Sequence, residues 1–135
     1  MFSYRHAYHA GNHADVLKHT VLIAVMKHLA LKEVGFTTLD THAGAGMYRL
    51  DSADARQSGE AQEGLLALMR NKSKLTGPMA EVLLDYRKVL DHFNPGAGLL
   101  NYPGSPMIAH HLLREQDKLR SEDHTSELQS RLHLV

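Results

Sequence analysis

The stretch LDTHAGAGMYR, at positions 39–49, places an acid and two glycines where a ligand could be held. Asp40 closes a short run of β-branched and apolar residues, and Gly44 and Gly46 follow it. Glycine has no Cβ, so the backbone can come close to a ligand and adopt positive φ at little cost. The pattern favours a cofactor-binding loop after a strand. An ordinary strand-to-loop turn remains the alternative for so short a motif.

Two phosphate-binding motifs that use glycine do not fit this loop. A dinucleotide fingerprint needs a third glycine three residues after the second, and that place is taken by Arg49. A P-loop needs Gly-Lys followed by Ser or Thr, which the stretch lacks. The loop is instead similar to the first motif of S-adenosylmethionine-dependent methyltransferases, whose cofactor carries a charged amino-acid end and no phosphate.

The N-terminal segment combines aromatic rings with basic groups. Between positions 4 and 19 lie Tyr4, Arg5, His6, Tyr8, His9, His13, Lys18 and His19. Rings stack on any base and cations contact phosphate, so the segment favours an unstacked RNA base. Two alternatives stay open: ordinary surface histidines, and a zinc site made of His6, His9, His13 and His19. Irregular spacing, the absence of cysteine and the absence of H-E-x-x-H make zinc the weaker alternative.

Three stretches together resemble the N-terminal part of the bacterial 23S ribosomal RNA adenine-N6 methyltransferase family. They are YRHAYHAGNHADVLKHTVL, LDTHAGAGMYRL and YPGSPMIAHHLLREQDKL, and the resemblance covers roughly residues 1–119. It implies an α/β fold: an incomplete, Rossmann-like methyltransferase domain, mostly helical here, with a helical insertion after the first strand. It also implies methyl transfer from S-adenosyl-L-methionine to the N6 amine of one adenine in 23S ribosomal RNA.

The resemblance implies roles for individual residues. Family positions that contact the cofactor are matched by His19, His42 and Ser105, and the cofactor loop itself by Asp40, Gly44 and Gly46. Positions tied to substrate adenosine and activity are matched by Tyr4, His6 and Lys18. Tyr4 is the candidate to stack on an adenine turned out of its surroundings, and Lys18 and Arg5 would contact phosphate.

The family's catalytic motif, Asn or Asp followed by Pro-Pro-Tyr, has no counterpart here, because no two of the four prolines are adjacent. We assign no catalytic residue, since the proton acceptor would lie in that motif, and we expect the chain alone to be inactive. The ribose-binding acid is expected just beyond Leu119, and we do not assign that role to Asp123. The alternative function is a non-catalytic helical RNA-binding module, in which the glycine loop is only structural.

Residues 120–135 differ in character from the rest of the chain. Their first part, RSEDHTSELQS, resembles at all but one position the translation of a common sequencing adapter. We therefore expect a foreign or disordered tail from Arg120, and a natural sequence that continues differently past Leu119. A natural disordered or helical tail is the alternative.

A helix and a strand must position the N-terminal segment and the loop. Asn12 is a good N-cap with Asp15 at N3, and Gly35 is predicted to end the helix. Its apolar face would consist of Leu17, Val21, Ala24, Val25 and Leu29. The run FTTLD, at positions 36–40, has the composition of one buried strand. A helix, a strand and a glycine loop in this order indicate an α/β pattern.

Residues 50–103 are predicted to form the helical insertion. Ser58 would cap a helix through GEAQEGLLALMRN, and TGP would begin a second helix that ends at NPGAG. The apolar face of that second helix would consist of Val82, Tyr86, Val89, Leu90 and Phe93. Beyond the insertion, Ser105 as N-cap and Pro106 at N1 predict a helix to about Glu115.

The composition narrows the class of protein. A length of 135 residues suits one domain. Fifteen basic and fifteen acidic residues balance, so an RNA partner must bind a local patch. The absence of cysteine excludes disulfides and thiolate metal sites. We see no signal peptide or membrane span, and expect a cytoplasmic monomer that binds neither a membrane nor a metal.

Overall fold

A computed structural model describes residues 6, 9–70, 76–96 and 98–121. The helices are α1 His13–Leu29, α2 Ala53–Ser58, a π-helical turn Gln62–Leu66 that leads into α3 Ala67–Arg70, α4 Pro78–Phe93 and α5 Ser105–Leu112. The strands are β1 Thr37–Asp40, β2 Met47–Arg49, β3 Asn101–Pro103 and β4 Lys118–Ser121. This mixture agrees with the predicted α/β class. No described helix combines the length and apolar character that crossing a bilayer requires.

The strands form two small sheets. β1 and β4 pair in parallel, with Thr37 opposite Lys118 and Asp40 opposite Ser121. β2 and β3 pair antiparallel, with Met47 opposite Pro103. The second sheet brings together the two ends of the helical region between its strands. Neither β2 nor β3 was expected from the sequence, because three residues are too few for an alternating pattern to be recognised.

The beginning of α1 agrees with the prediction, but its end does not. The Asn12 side chain accepts a hydrogen bond from the Asp15 N–H, as an N-cap does. The helix ends at Leu29 and not at Gly35. Arg114 donates hydrogen bonds to the carbonyl oxygens of Ala30, Lys32 and Val34, which holds this segment in a turned path. Gly35 instead allows close approach, since a Cβ there would overlap the Gln116 carbonyl oxygen.

The predicted apolar face of α1 is largely exposed. Leu17, Val21, Val25 and Leu29 face solvent, and Leu17 is 68% exposed. The residues that α1 buries are Asp15, His19, Thr20, Ile23 and Met26. Because α1 is apolar around most of its circumference, spacing alone could not identify the face that packs against α4 and α5.

Three predicted helix boundaries are wrong. Ser58 is the last residue of α2, a short helix that the sequence did not predict and that begins where the Ser52 hydroxyl accepts from the Ala55 N–H. Gly59 then ends α2 with φ +66°. The predicted helix after Ser58 is present, but it begins at Glu60 and contains the π-helical turn. Ser105 is the first residue of α5 and Gly104 is its N-cap. The Ser105 hydroxyl donates to the Asp40 carboxylate instead. α5 stops at Leu112 and not near Glu115, since the next residue is extended.

The core is formed where α1, α4, α5 and β3 meet. It contains Ile23, Tyr86, Leu90, Tyr102 and Ile108, all almost fully buried. The predicted start of α4 at TGP and its end at NPGAG are confirmed, since the helix spans Pro78–Phe93. Tyr86, Val89 and Leu90 are the residues that it buries. The core therefore joins the helical region between β2 and β3 to the helices beside β1.

β4 extends two residues past the boundary expected at Leu119. Arg120 lies opposite Leu39, and Ser121 lies opposite Asp40. The start of the expected tail is thus part of the parallel sheet. Asp123 and the rest of the tail, residues 122–135, lie outside the described residues.

We expect a chain ended at Leu119 to unfold at a lower temperature than a chain ended at Ser121. The shorter chain loses the last two pairs between β1 and β4, which support the strand end next to the glycine loop. A lost hydrogen bond costs about 1 kcal/mol, or several degrees in a domain of this size. Thermal melts followed by circular dichroism make the comparison. Equal melting temperatures would mean that Arg120 and Ser121 contribute nothing to the sheet.

Candidate functional site

A cavity of about 570 Å³ lies beside the loop that follows β1. Six residues singled out in the sequence line it: His6, Lys18, His19, His42, Gly44 and Ser105. Three of them come from the N-terminal segment and α1, two from the loop after β1, and one from α5. The fold thus brings predicted RNA-binding residues and predicted cofactor-binding residues to one cavity.

The loop after β1 is shaped by its glycines. Gly44 has φ +67° and Gly46 has φ +86°, both in the left-handed region that favours glycine. A Cβ on Gly44 would lie 2.6 Å from the Tyr48 hydroxyl oxygen, which accepts a hydrogen bond from the Ala45 N–H at 3.2 Å. The Gly104 N–H donates to the Gly46 carbonyl oxygen at 2.6 Å. The loop therefore folds over Tyr48 and is fixed to the beginning of α5.

Asp40, the last residue of β1, forms hydrogen bonds that hold the following loop in place. One carboxylate oxygen accepts from the His42 N–H at 3.1 Å, and the other accepts from the Ser105 hydroxyl. Asp40 and Gly46, two of the predicted cofactor-binding residues, are not among the described residues that line the larger cavity. Asp40 lines a neighbouring cavity of about 250 Å³, which shares Lys18, Thr41, His42 and Ser105 with the larger one.

Asp15 is a buried carboxylate below the N-terminal segment, with 1% of the residue exposed. It accepts a hydrogen bond from the Gly11 N–H at 3.0 Å, lies 2.9 Å from His6 Nε2 and lies 3.5 Å from Lys18 Nζ. Burial alone would raise the pKa of Asp15, but the hydrogen bond with His6, the electrostatic effect of the His19 and His6 rings and the Gly11 N–H together outweigh it and lower the pKa. Asp15 therefore holds the two predicted RNA-binding residues His6 and Lys18 at the cavity.

His19 is fully buried in the wall of the cavity. Its Nδ1 lies 2.7 Å from the Tyr102 hydroxyl, and that hydroxyl lies 2.9 Å from the hydroxyl of Tyr86. Burial lowers the pKa of His19 to about 4, so the ring is neutral at pH 7. Its Nε2 is buried and has no hydrogen-bond partner among the residues that the structure describes.

The other histidines of the N-terminal segment do not join His19 in a metal site. His6 packs against the Tyr48 ring with centroids 5.0 Å apart, whereas His9 Nδ1 lies 2.9 Å from the Glu60 carboxylate. Within residues 6, 9–70, 76–96 and 98–121, no group of three or more His, Asp or Glu side chains is arranged to hold a metal ion. The predicted Tyr4 and Arg5 lie outside the described residues.

Three residues that contribute to this site, Asp15, Tyr48 and Gly104, were not predicted from the sequence to do so. Asp15 was considered only as a helix-start residue, although an acid within reach of His6 and Lys18 is a signal for an ion pair. Tyr48 lies in the stretch LDTHAGAGMYR, but no sequence pattern indicates that its hydroxyl accepts a hydrogen bond from the loop backbone. Gly104 precedes α5 by one residue, and a Cβ there would lie 3.2 Å from the Gly46 carbonyl oxygen.

A glycine loop at the carboxyl end of a parallel strand, beside a cavity, is the arrangement in which open α/β sheets bind ligands. The chain belongs to the family described as "Ribosomal RNA large subunit methyltransferase D, RlmJ", which matches residues 33–132. The resemblance found in the sequence is thereby confirmed at the level of the family. The matched range overlaps most of the tail expected to be foreign, and the origin of that tail stays a prediction.

Two curated relatives are both called "Ribosomal RNA large subunit methyltransferase J". The Escherichia coli (strain K12) protein is 48% identical over 128 residues, which cover 94% of this chain and 44% of the relative. The Haemophilus influenzae (strain ATCC 51907 / DSM 11121 / KW20 / Rd) protein is 46% identical over 129 residues, with the same two coverages of 94% and 44%. The chain therefore spans less than half the length of these relatives.

A solved structure shares the fold of the chain. The crystal structure of a protein from Legionella pneumophila str. Philadelphia 1 superimposes with a TM-score of 0.74 at 33% sequence identity. The similarity covers 93% of this chain and 43% of that one. The fold of this chain is therefore found within a second, longer protein.

Acid should destabilise the protein through His19 between pH 6.5 and about 4. In this window the unfolded chain binds a proton on His19 and the folded chain does not, so the free energy of unfolding falls as the pH falls. The stabilisation is fully present above the window, and the loss across it is on the order of 3 kcal/mol. His19→Gln should remove this part of the pH dependence of the free energy of unfolding.

Urea unfolding of both proteins at several pH values measures the effect, because the difference between the two curves removes the groups that they share. We expect the difference in unfolding free energy to change steadily across the window and to be constant below it. A difference that does not vary with pH would contradict the buried, neutral state of His19.

Proposed function

We propose that the full-length protein transfers a methyl group from S-adenosylmethionine to the N6 amine of one adenine in 23S ribosomal RNA. The observation that carries the proposal is that the glycine loop and the basic residues His6 and Lys18 line one and the same cavity. Membership in a family described as ribosomal RNA methyltransferases supports the same reaction. Such an enzyme would work in the cytoplasm as a monomer.

The proposed fold is an incomplete Rossmann-like sheet with a helical insertion at residues 50–103. Two features support it. The parallel pair of β1 and β4 has α5 packed against both strands, as in a crossover unit. The antiparallel pair of β2 and β3 joins the two ends of the helical region, which is how an insertion leaves and re-enters a domain. In such folds the ligand binds at the carboxyl ends of the strands.

The residues at the cavity fit S-adenosylmethionine. Gly44 and Gly46 let the loop backbone approach a ligand, and Asp40 and Ser105 hold that loop in place. The buried His19 Nε2 lacks a partner among the described residues, so a polar ligand group could satisfy it. Bound there, S-adenosylmethionine supplies an electrophilic methyl group on a positively charged sulfur. His42, exposed on the loop, would contact the same ligand.

The RNA would approach from the N-terminal segment. Lys18 is about half exposed, so its ammonium group can contact phosphate while Asp15 limits its position. His6 lies between Asp15 and the Tyr48 ring at the cavity. In the proposal Tyr4 stacks on the extruded adenine, which must leave its surroundings to reach the methyl group.

An adenine amine is a poor nucleophile because its lone pair is delocalised into the ring. The work of the protein is therefore alignment and exclusion of water, together with removal of a proton. The residues on this chain serve the first two tasks, since they position both ligands at one cavity. The third task is assigned to the Pro-Pro motif of the family, which this sequence lacks. We expect no methyl transfer by the 135-residue chain alone.

Gly44→Val should abolish S-adenosylmethionine binding. A branched side chain there meets the Tyr48 hydroxyl and fills the place where the cofactor approaches the backbone. Gly59→Val is the matched control, because Gly59 has φ +66° and a Cβ on it meets nothing within 4 Å. Calorimetric titration of the chain measures affinity. Equal affinity in the two variants would contradict a cofactor site at this loop.

RNA binding is tested separately, by comparing substitutions of two lysines of α1. Lys18→Ala should weaken binding of a ribosomal RNA fragment in a filter assay, with a defect that shrinks at high salt. Lys27 pairs with Asp85, and Lys27→Ala should leave binding unchanged. Tyr4→Ala should lower RNA affinity roughly ten- to a hundredfold, the value of one stacked base, with cofactor affinity kept. RNA binding without any cofactor binding would favour the non-catalytic RNA-binding module.

A further inference from the structure

Three buried side chains form a hydrogen-bonded row that ends at the cavity wall. The row runs from the Tyr86 hydroxyl to the Tyr102 hydroxyl, and from there to Nδ1 of His19. All three residues are fully buried, and they come from α4, β3 and α1. The far nitrogen of His19, Nε2, is the one buried polar atom of this row without a partner among the described residues.

The positions of the hydrogens in this row follow from the number of donors and acceptors. Each hydroxyl carries one hydrogen, because burial raises the pKa of both tyrosines. If Nδ1 also carried a hydrogen, one tyrosine hydrogen would have no acceptor in the row and Nε2 would be an unpaired acceptor. If Tyr86 donates to Tyr102 and Tyr102 donates to Nδ1, only the Nε2–H of His19 remains unpaired. Fewer unpaired buried groups make the second arrangement more stable.

We propose that Tyr102 is a positioning residue that fixes His19 as the Nε2–H tautomer, so that the cavity wall presents one neutral hydrogen-bond donor to the ligand. Tyr86 supports this role by donating to the Tyr102 oxygen. The ligand group that fits is an acceptor, and a carboxylate fits best because the Lys18 ammonium group also lines the cavity. The identity of that group as the amino-acid end of S-adenosylmethionine rests on the proposed function.

Tyr102 determines which kind of hydrogen bond His19 can make with a ligand. A neutral imidazole can offer either a donor or an acceptor at Nε2, depending on its tautomer. Without the Tyr102 hydroxyl, His19 loses the hydrogen bond that holds its hydrogen on Nε2. Cofactor affinity would then depend on Tyr102, which is not among the described residues that line the cavity.

Long-range proton–nitrogen NMR correlation of the histidine rings, recorded at pH 7 on the chain without ligand, tests the tautomer directly. The His19 signals are assigned by their loss in His19→Gln. We expect Nδ1 to have the shift of a bare nitrogen and Nε2 that of a protonated one. Tyr102→Phe should move both shifts towards a mixture of tautomers. Tyr86→Phe is the control, because Tyr102 can still donate to Nδ1 in that variant.

Calorimetric titration with S-adenosylmethionine gives the second readout. Tyr102→Phe should weaken binding about tenfold, the effect of one hydrogen bond, and Tyr86→Phe should weaken it less. A protonated Nδ1 in the unmodified chain, or a tautomer unchanged in Tyr102→Phe, would overturn the proposal. If the tautomer results are as expected and neither the unmodified full-length protein nor its variants bind S-adenosylmethionine, the positioning role stands and the proposed function fails.

Discussion

The buried carboxylate of Asp15 is the constraint on which the site depends. A charge removed from water is very costly unless hydrogen bonds and opposite charges replace the solvent. The Gly11 N–H and the side chains of His6 and Lys18 do so, and Asn12 caps the helix turn that carries the carboxylate. Because these partners flank the cavity, stabilising one buried charge also orders the surface on which the RNA would lie.

The helical region between β2 and β3 holds the same segment from the other side. The Leu65 N–H donates to the Gly11 carbonyl oxygen, and Gly64 lies so close that a Cβ would overlap this oxygen. The Glu60 carboxylate lies 2.9 Å from His9 Nδ1. The region therefore supports the N-terminal segment in addition to its contribution to the core. Its π-helical turn, Gln62–Leu66, contains both Gly64 and Leu65 and so coincides with this contact.

Local chemistry could be predicted from the sequence, and long-range pairing could not. The Asn12 cap, the helix start at Pro78 and the glycine loop at Gly44 each depend on neighbouring residues, so short patterns identified them. The burial of His19 depends on Tyr102, 83 residues away, and the short strands β2 and β3 depend on each other. The family resemblance placed His19 at the site, but only the fold explains why its ring is neutral and which nitrogen is available.

The proposed binding of S-adenosylmethionine beside the loop after β1 can be tested directly. Amide NMR spectra recorded during addition of S-adenosylmethionine provide the test, because glycine signals report on two separate cavities. We expect saturable shifts at Gly44 and Gly104, which line the cavity beside the loop after β1. Gly96 and Gly98, which line a separate cavity at the end of α4, should not move. Shifts confined to Gly96 and Gly98, with Gly44 and Gly104 unmoved, would contradict the assignment of the site.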